Sequence, residues 1–223
     1  MLAHVVAASL VVVAASPACD RPAPEPVAFT SRGFGFVAEV FPPGSRRNPG
    51  DRPRAFFYEV KHPGTGWSVD ARRVWSAELP LATTPRAAIV SMDGHLVTLD
   101  EDHGSAHALA VFGRDGRLVR GFALEALLGD AERDRATWSD CGVHWREGAV
   151  FYFTRPPDAR LLVVRRDGEH VVEIALATGA LRRGTARNFP ALAALRSERF
   201  PSELAEVWAT SLRFSSITDV QAR

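Results

Sequence analysis

At 223 residues, with 46% hydrophobic and 24% charged positions, the chain is long and apolar enough for one domain with a sizeable core. Its formal net charge of +1 argues against any general attraction to nucleic acid or to an anionic lipid surface. Lys61 is the lone lysine, so the positive charge is almost all arginine. Together with abundant alanine, that points to a GC-rich genome more than to a phosphate-binding face.

Met1–Ala18 (MLAHVVAASLVVVAASPA) is an apolar run ending in small residues. Val5–Ala15 has the length of a signal-peptide core, and Ser16-Pro17-Ala18 supplies a small-x-small cleavage site. The run is short for a membrane span. Its n-region departs from the usual pattern in carrying His4 and no Lys or Arg. Cys19 follows at once, and the segment resembles a bacterial lipoprotein signal, which implies lipidation of Cys19. Asp20–Pro26 (DRPAPEP) then reads as an extended, solvated tether. The two cysteines are Cys19 and Cys141. If Cys19 is not lipidated, an oxidising compartment permits a Cys19–Cys141 bridge.

From Ala28 the pattern is strand-like. Phe34–Phe41 and Ala55–Val60 are aromatic and β-branched, separated by the loop Pro42–Pro53. His62–Gly66 is a turn, Trp67–Leu79 a third strand, and Pro80–Pro85 closes the unit. Ala87–Val90 and His95–Leu99 flank the turn Met92-Asp93-Gly94, and Asp100–Ser105 is a polar loop. His107–Phe112 and Arg117–Leu124 flank Gly113–Gly116, a tight hairpin in which glycine supplies a positive φ. Glu125–Arg133 reads as a short helix or helical turn, a connector, and Trp138–Trp145 fits neither period. Ala149–Thr154, Leu161–Arg165 and His170–Ala177 are strands, turned at Arg155–Ala159 and Asp167-Gly168 and ended by Thr178-Gly179. Phe189–Arg199 and Pro201–Phe214 have helical spacing and are expected to pack on the sheet as a closing appendage.

The middle of the chain repeats. Setting Asp115-Gly116 on Asp167-Gly168 aligns Val111 with Val163, Val119 with Val171 and Phe122 with Ile174. Upstream, Gly94 answers Gly148, and the unit ending at Leu79 follows the same order. Three strand–loop–hairpin units at spacings of roughly 45–55 residues predict repeated four-stranded sheets, as in propeller blades. A generic antiparallel meander with recurring hairpins is the alternative. The runs SMDGHLVTLDEDH and LAVFGRDGRLVRGFAL resemble uncharacterised exported bacterial proteins with propeller-like blades. That resemblance implies blade architecture and no particular reaction.

The expected fold is therefore mainly β: antiparallel, propeller-like repeats, partial or open, with a short helical appendage at the C-terminus. The boundaries are a signal peptide (1–18), a Pro-rich tether (19–27), a β-repeat domain (28–185) and a helical tail (186–223).

Two polar clusters stand apart from this architecture. Asp100, Glu101, Asp102 and His103, with His107 beyond, end a strand where blade loops form binding faces. Their carboxylates and imidazoles suit Zn²⁺, Mn²⁺ or Ca²⁺, with Asp100, Asp102, His103 and His107 as the candidate ligands. A solvated loop with one turn-capping Asp is the plainer account. Asp140, Cys141 and His144 lie between Trp138 and Trp145. A Cys–His pair is a nucleophilic arrangement in principle, but in an extended segment Cys141 reads better as a small buried hydrophobe. Should His144 meet the Asp100–His103 loop, the case for metal strengthens. The pairs Arg165-Arg166 and Arg182-Arg183 are candidates for an acidic ligand or for soluble strand edges. The sequence holds no serine elbow, phosphate loop or CxxC.

The expectation is a non-enzymatic binding or scaffolding module at the bacterial cell envelope, without a cofactor, whose ligand meets Asp100, Glu101, Asp102, His103 and His144. Its partner would be an envelope protein or small ligand, with membrane contact only through a lipid on Cys19. The alternative is a divalent-metal-dependent hydrolase built on the Asp100–His103 loop.

Overall fold

A computed structural model describes residues 25–31, 35–61, 70–102, 105–134, 136–139, 142–154, 158–165 and 167–192. These residues form three four-stranded antiparallel sheets and one two-stranded hairpin. Sheet 1 comprises β1 (Val27–Thr30), β2 (Phe36–Phe41), β3 (Arg54–Lys61) and β4 (Asp70–Glu78). Sheet 2 comprises β5 (Ala87–Val90), β6 (Leu96–Leu99), β7 (Leu109–Phe112) and β8 (Leu118–Phe122). The hairpin β9 (Thr137–Ser139) and β10 (Gly142–His144) follows. Sheet 3 comprises β11 (Val150–Phe153), β12 (Arg160–Val164), β13 (His170–Ala175) and β14 (Leu181–Thr185). In each sheet every strand pairs with its neighbours in sequence.

Sheet 2 lies in the middle of a face-to-face stack, and its residues explain why. Both β6 and β7 are buried on both faces, and strand alternation divides them into two sets. Leu96, Ala110 and Phe112 join Val40, Phe57 and Trp75 of sheet 1 in one core. Val97, Leu99, Leu109 and Val111 join Leu161, Val163 and Ile174 of sheet 3 in another. Each of the valine, leucine, isoleucine and phenylalanine side chains contributes about 1.5–3 kcal/mol by leaving water. The far face of sheet 3 is covered by Phe189 and Leu192. Ser31 and Val90 form a parallel bridge, so the leading strands of sheets 1 and 2 run side by side.

The glycines in the tight turns of sheet 2 make a close approach to sheet 1 possible. Phe36, Phe57 and Trp75 stack across β2, β3 and β4, with centroids 5.6 Å and then 4.8 Å apart. Gly94 (φ +90°) and Gly116 (φ +79°) present bare backbone to this ladder. A Cβ on Gly116 would sit 2.7 Å from the Trp75 ring, and one on Gly94 3.3 Å from Phe36. The fourth strand of each of these sheets carries one extra residue: the register slips past Val74 in β4 and past Val119 in β8.

Several sequence expectations are refined or corrected. Of the two readings of Glu125–Arg133, the helical turn holds, twice over: α1 (Leu124–Leu127) and α2 (Asp130–Arg133). Leu128 is extended between them (φ −106°, ψ 142°). Trp138–Trp145 holds the β9–β10 hairpin. Thr178-Gly179 ends the third strand of its sheet as expected, and β14, which the sequence reading does not name, follows as the fourth. The repeat is also out of phase with the sheets. Its alignment lays β6, β7 and β8 on β11, β12 and β13, so strands two to four of one sheet fall on strands one to three of the next. A tight Asp-Gly turn stabilises any antiparallel pair, and it joins different pairs in the two sheets. Of the expected tail, Ala186–Asn188 is a 3₁₀ turn and 190–192 are helical. The remainder lies outside the described residues, as do 1–24 with the expected signal, most of the tether and Cys19.

Candidate functional site

Described members of the two polar clusters, Glu101 and His144, come within 3.8 Å of each other at the end of sheet 2. The Asp100 amide continues the β6–β7 ladder by donating to Ala108 O at 2.9 Å. Its carboxylate then folds back to accept the amides of Glu101 (2.8 Å) and Asp102 (3.3 Å). The β9–β10 hairpin and the residue after it close over this turn through two bonds to its carbonyls. Val143 N donates to Glu101 O at 2.8 Å, and Trp145 Nε1 donates to Asp100 O at 2.6 Å. With Trp145 only 1% exposed, the indole is the plug of the junction. Asp100 caps the turn as the plainer reading expects, but Asp100 and Glu101 are buried rather than solvated.

A cleft of about 100 Å³ opens beside the turn, lined by Asp100, Glu101, Asp102 and Glu125 together with Trp138, Val143, Trp145 and Leu124. No basic side chain lines it among the described residues. Trp138 stands 54% exposed at its edge. Burial pushes the Asp100 carboxyl above its ordinary value, with the Asp102 charge adding to the rise. The Ser105 hydroxyl and the two backbone amides oppose this without cancelling it.

On the other side of Glu101, a more open hollow of about 300 Å³ is lined by Glu101, His144, Arg146 and Glu147. Arg146 Nε holds Glu101 Oε1 at 2.8 Å. His144 Nδ1 lies 3.8 Å from Glu101 Oε2, an ion-pair rather than a hydrogen-bond distance. The other ring nitrogen, Nε2, lies 3.1 Å from Ser139 Oγ. Ser139 and His144 reach each other because Ser139 pairs with Gly142, two residues before His144, placing them diagonally on one face.

The remaining candidates are placed as follows. Asp102 accepts the Thr83 hydroxyl at 2.6 Å. His107 packs against Gly121 of β8, its Nδ1 buried without a hydrogen-bond partner among the described residues. His103, Asp140 and Cys141 lie outside the described residues. Among those described, no three His, Cys, Asp or Glu side chains gather as metal ligands. The described arginines of the two pairs bond within the fold, and Arg182 and Arg183 do so from the edge strand β14. Arg165 donates to Trp145 O at 2.6 Å, and Arg183 to Ala126 O at 3.0 Å. Arg182 lies 3.3 Å from Glu173. The sequence passes over Ser139, Arg146 and Glu125. Only the hairpin register of β9–β10 selects Ser139, and three-residue strands carry no readable period.

No family model and no curated protein matches the sequence. Among solved structures, a crystal structure of HIRA(644-1017) is similar to 78% of this chain at 13% identity and a TM-score of 0.35. The chain spans 59% of that structure's length.

Proposed function

We propose that the chain is a binding module of the bacterial cell envelope, built as an open propeller-like stack, that takes a cationic group in the cleft beside Asp100. The observation that carries this reading is the lining: the carboxylates of Asp100, Asp102 and Glu125, a fourth on Glu101 held by Arg146, and two indoles, with no described basic side chain in the lining itself. Such a site attracts positive charge, and an exposed indole face adds a cation–π contact. The volume suits an ammonium or guanidinium head presented by a small amine or by a partner's side chain. The stacked sheets and the side-by-side leading strands support the propeller-like arrangement. Export, with Cys19 as the lipid-bearing residue, rests on Met1–Ala18.

The test is a titration with choline and with N-acetyl-lysinamide, followed by tryptophan fluorescence. A saturable change is expected that weakens in high salt and is lost in the Asp102→Asn, Glu125→Gln double variant. If neither amine gives a saturable response, the cation reading fails. If Zn²⁺ or Mn²⁺ raises the melting temperature instead, and chelator reverses it, the metal-dependent hydrolase replaces it.

A further inference from the structure

Ser139, His144 and Glu101 stand in an order that binding alone does not require. The imidazole is the middle member, with a hydroxyl 3.1 Å from Nε2 and a carboxylate 3.8 Å from Nδ1. Arg146 grips the far oxygen of that carboxylate, which fixes its near oxygen toward the ring. His144 is itself held by the hairpin that Val143 and Trp145 fasten to the Asp100 turn. Its side chain is 41% exposed and borders the open hollow, so a substrate can reach it.

We infer that Ser139 is the nucleophile of an acyl-transfer site, with His144 as its general base and Glu101 as the group that positions the imidazole. The inference goes beyond ligand capture in the neighbouring cleft and names carboxylic esters as the substrate class. Among the described residues, the hydroxyl of Ser139 lies within reach of Gly142 O at 3.2 Å and of His144 Nε2. Attack requires the second. Ser139 Oγ then bonds to the ester carbonyl carbon while His144 Nε2 takes the hydroxyl proton. The carbonyl–alkoxy bond breaks, and His144 returns that proton to the departing alcohol. Water, deprotonated in turn by His144, attacks the serine ester and releases the acid. No oxidant or cofactor enters the balance. The order hydroxyl–imidazole–carboxylate is one that recurs on unrelated folds, so its presence on a β-hairpin is not a geometric objection.

The experiment uses the full chain and two uncharged probes, a fluorophosphonate and p-nitrophenyl acetate. Neither carries a cation, so the outcome is separate from that of the amine titration. Labelling is expected on Ser139, mapped by peptide mass, together with ester hydrolysis above the buffer rate. Ser139→Ala should remove the label, and His144→Gln should slow both reactions by about 100-fold or more. Glu101→Gln, which keeps the side chain's shape, should lower the rate and shift its pH profile. A merely structural contact would not shift that profile. Far-UV dichroism and a melt establish that each variant is folded. An unlabelled wild-type chain, or label on any residue other than Ser139, overturns the assignment whatever the variants do.

Discussion

The two ends of β6 carry similar side chains and treat them in opposite ways. At its start, Ser91, Asp93 and His95 form a closed knot. The Ser91 hydroxyl donates to Asp93 at 2.5 Å, and His95 Nδ1 lies 3.1 Å from the same carboxylate oxygen. There the carboxylate is the middle member, and the hydroxyl is spent on it. At the other end, the imidazole stands between hydroxyl and carboxylate, and Asp100 borders a cleft. The carboxyl values follow suit. Burial alone would raise Asp93, but the close His95 imidazole, the Ser91 hydrogen bond and the Arg114 charge bring it below its ordinary value. At Asp100 the burial penalty wins, with Asp102 on the same side of the balance. A hydroxyl, an imidazole and a carboxylate make a structural lock with the carboxylate in the middle, and the relay inferred above with the imidazole there.

The largest test of the locked end is Gly116→Ala. The added Cβ meets Trp75 at 2.7 Å at a φ of +79°, so backbone strain and a ring clash act together. A loss of about 2–4 kcal/mol is expected in denaturant unfolding. A near-neutral result would mean that sheets 1 and 2 do not pack through this turn. The cleft end should be hardly touched.

Next in size is Asp93→Asn, expected to cost about 1–2 kcal/mol at neutral pH, because His95 loses a charged partner beside a buried turn. Since the folded carboxyl lies below its unfolded value, the stability it provides is complete above about pH 4. It is lost as pH falls through the folded value. The variant and the wild type should therefore converge in acid. A gap that persists there would mean that the side chain's shape, not its charge, holds the turn.

This contrast also shows what the sequence reveals. The turn end is legible because its signals are local: Asp-Gly at a hairpin tip, flanked by Val, Leu and Phe in strand alternation. The strand β14 is not, because an edge strand with Leu181 as its single large apolar residue (LRRGT) has no inward stripe to read. Nor is the repeat's phase, since an Asp-Gly turn says that two strands pair and not which two of four. At the cleft end the composition marks Asp100, Glu101 and His144, yet not their meeting. That depends on hydrogen bonds such as Trp145 to Asp100 O, spanning 45 residues. Ser139 stays hidden for the same reason, because it becomes interesting only through its diagonal partner across a short hairpin.

The smallest effect is the most discriminating. In Asp100→Asn the side-chain oxygen can still accept from the Glu101 and Asp102 amides, so the turn keeps its shape while the buried charge goes. The folded carboxyl lies above its unfolded value. The wild type is therefore unpenalised below about pH 4 and loses stability as pH rises through the folded value. The variant should be more stable than the wild type at neutral pH, by up to about 1 kcal/mol, with the advantage vanishing in acid. The sign is opposite to that at Asp93, so melts of both variants across pH form one experiment. A positively charged occupant changes the outcome again. It favours the ionised Asp100, so choline should stabilise the wild type increasingly as pH rises and the Asn variant far less. If Asp100→Asn instead destabilises at neutral pH, the carboxylate is already compensated within the turn, and the cleft has no charge of its own to offer.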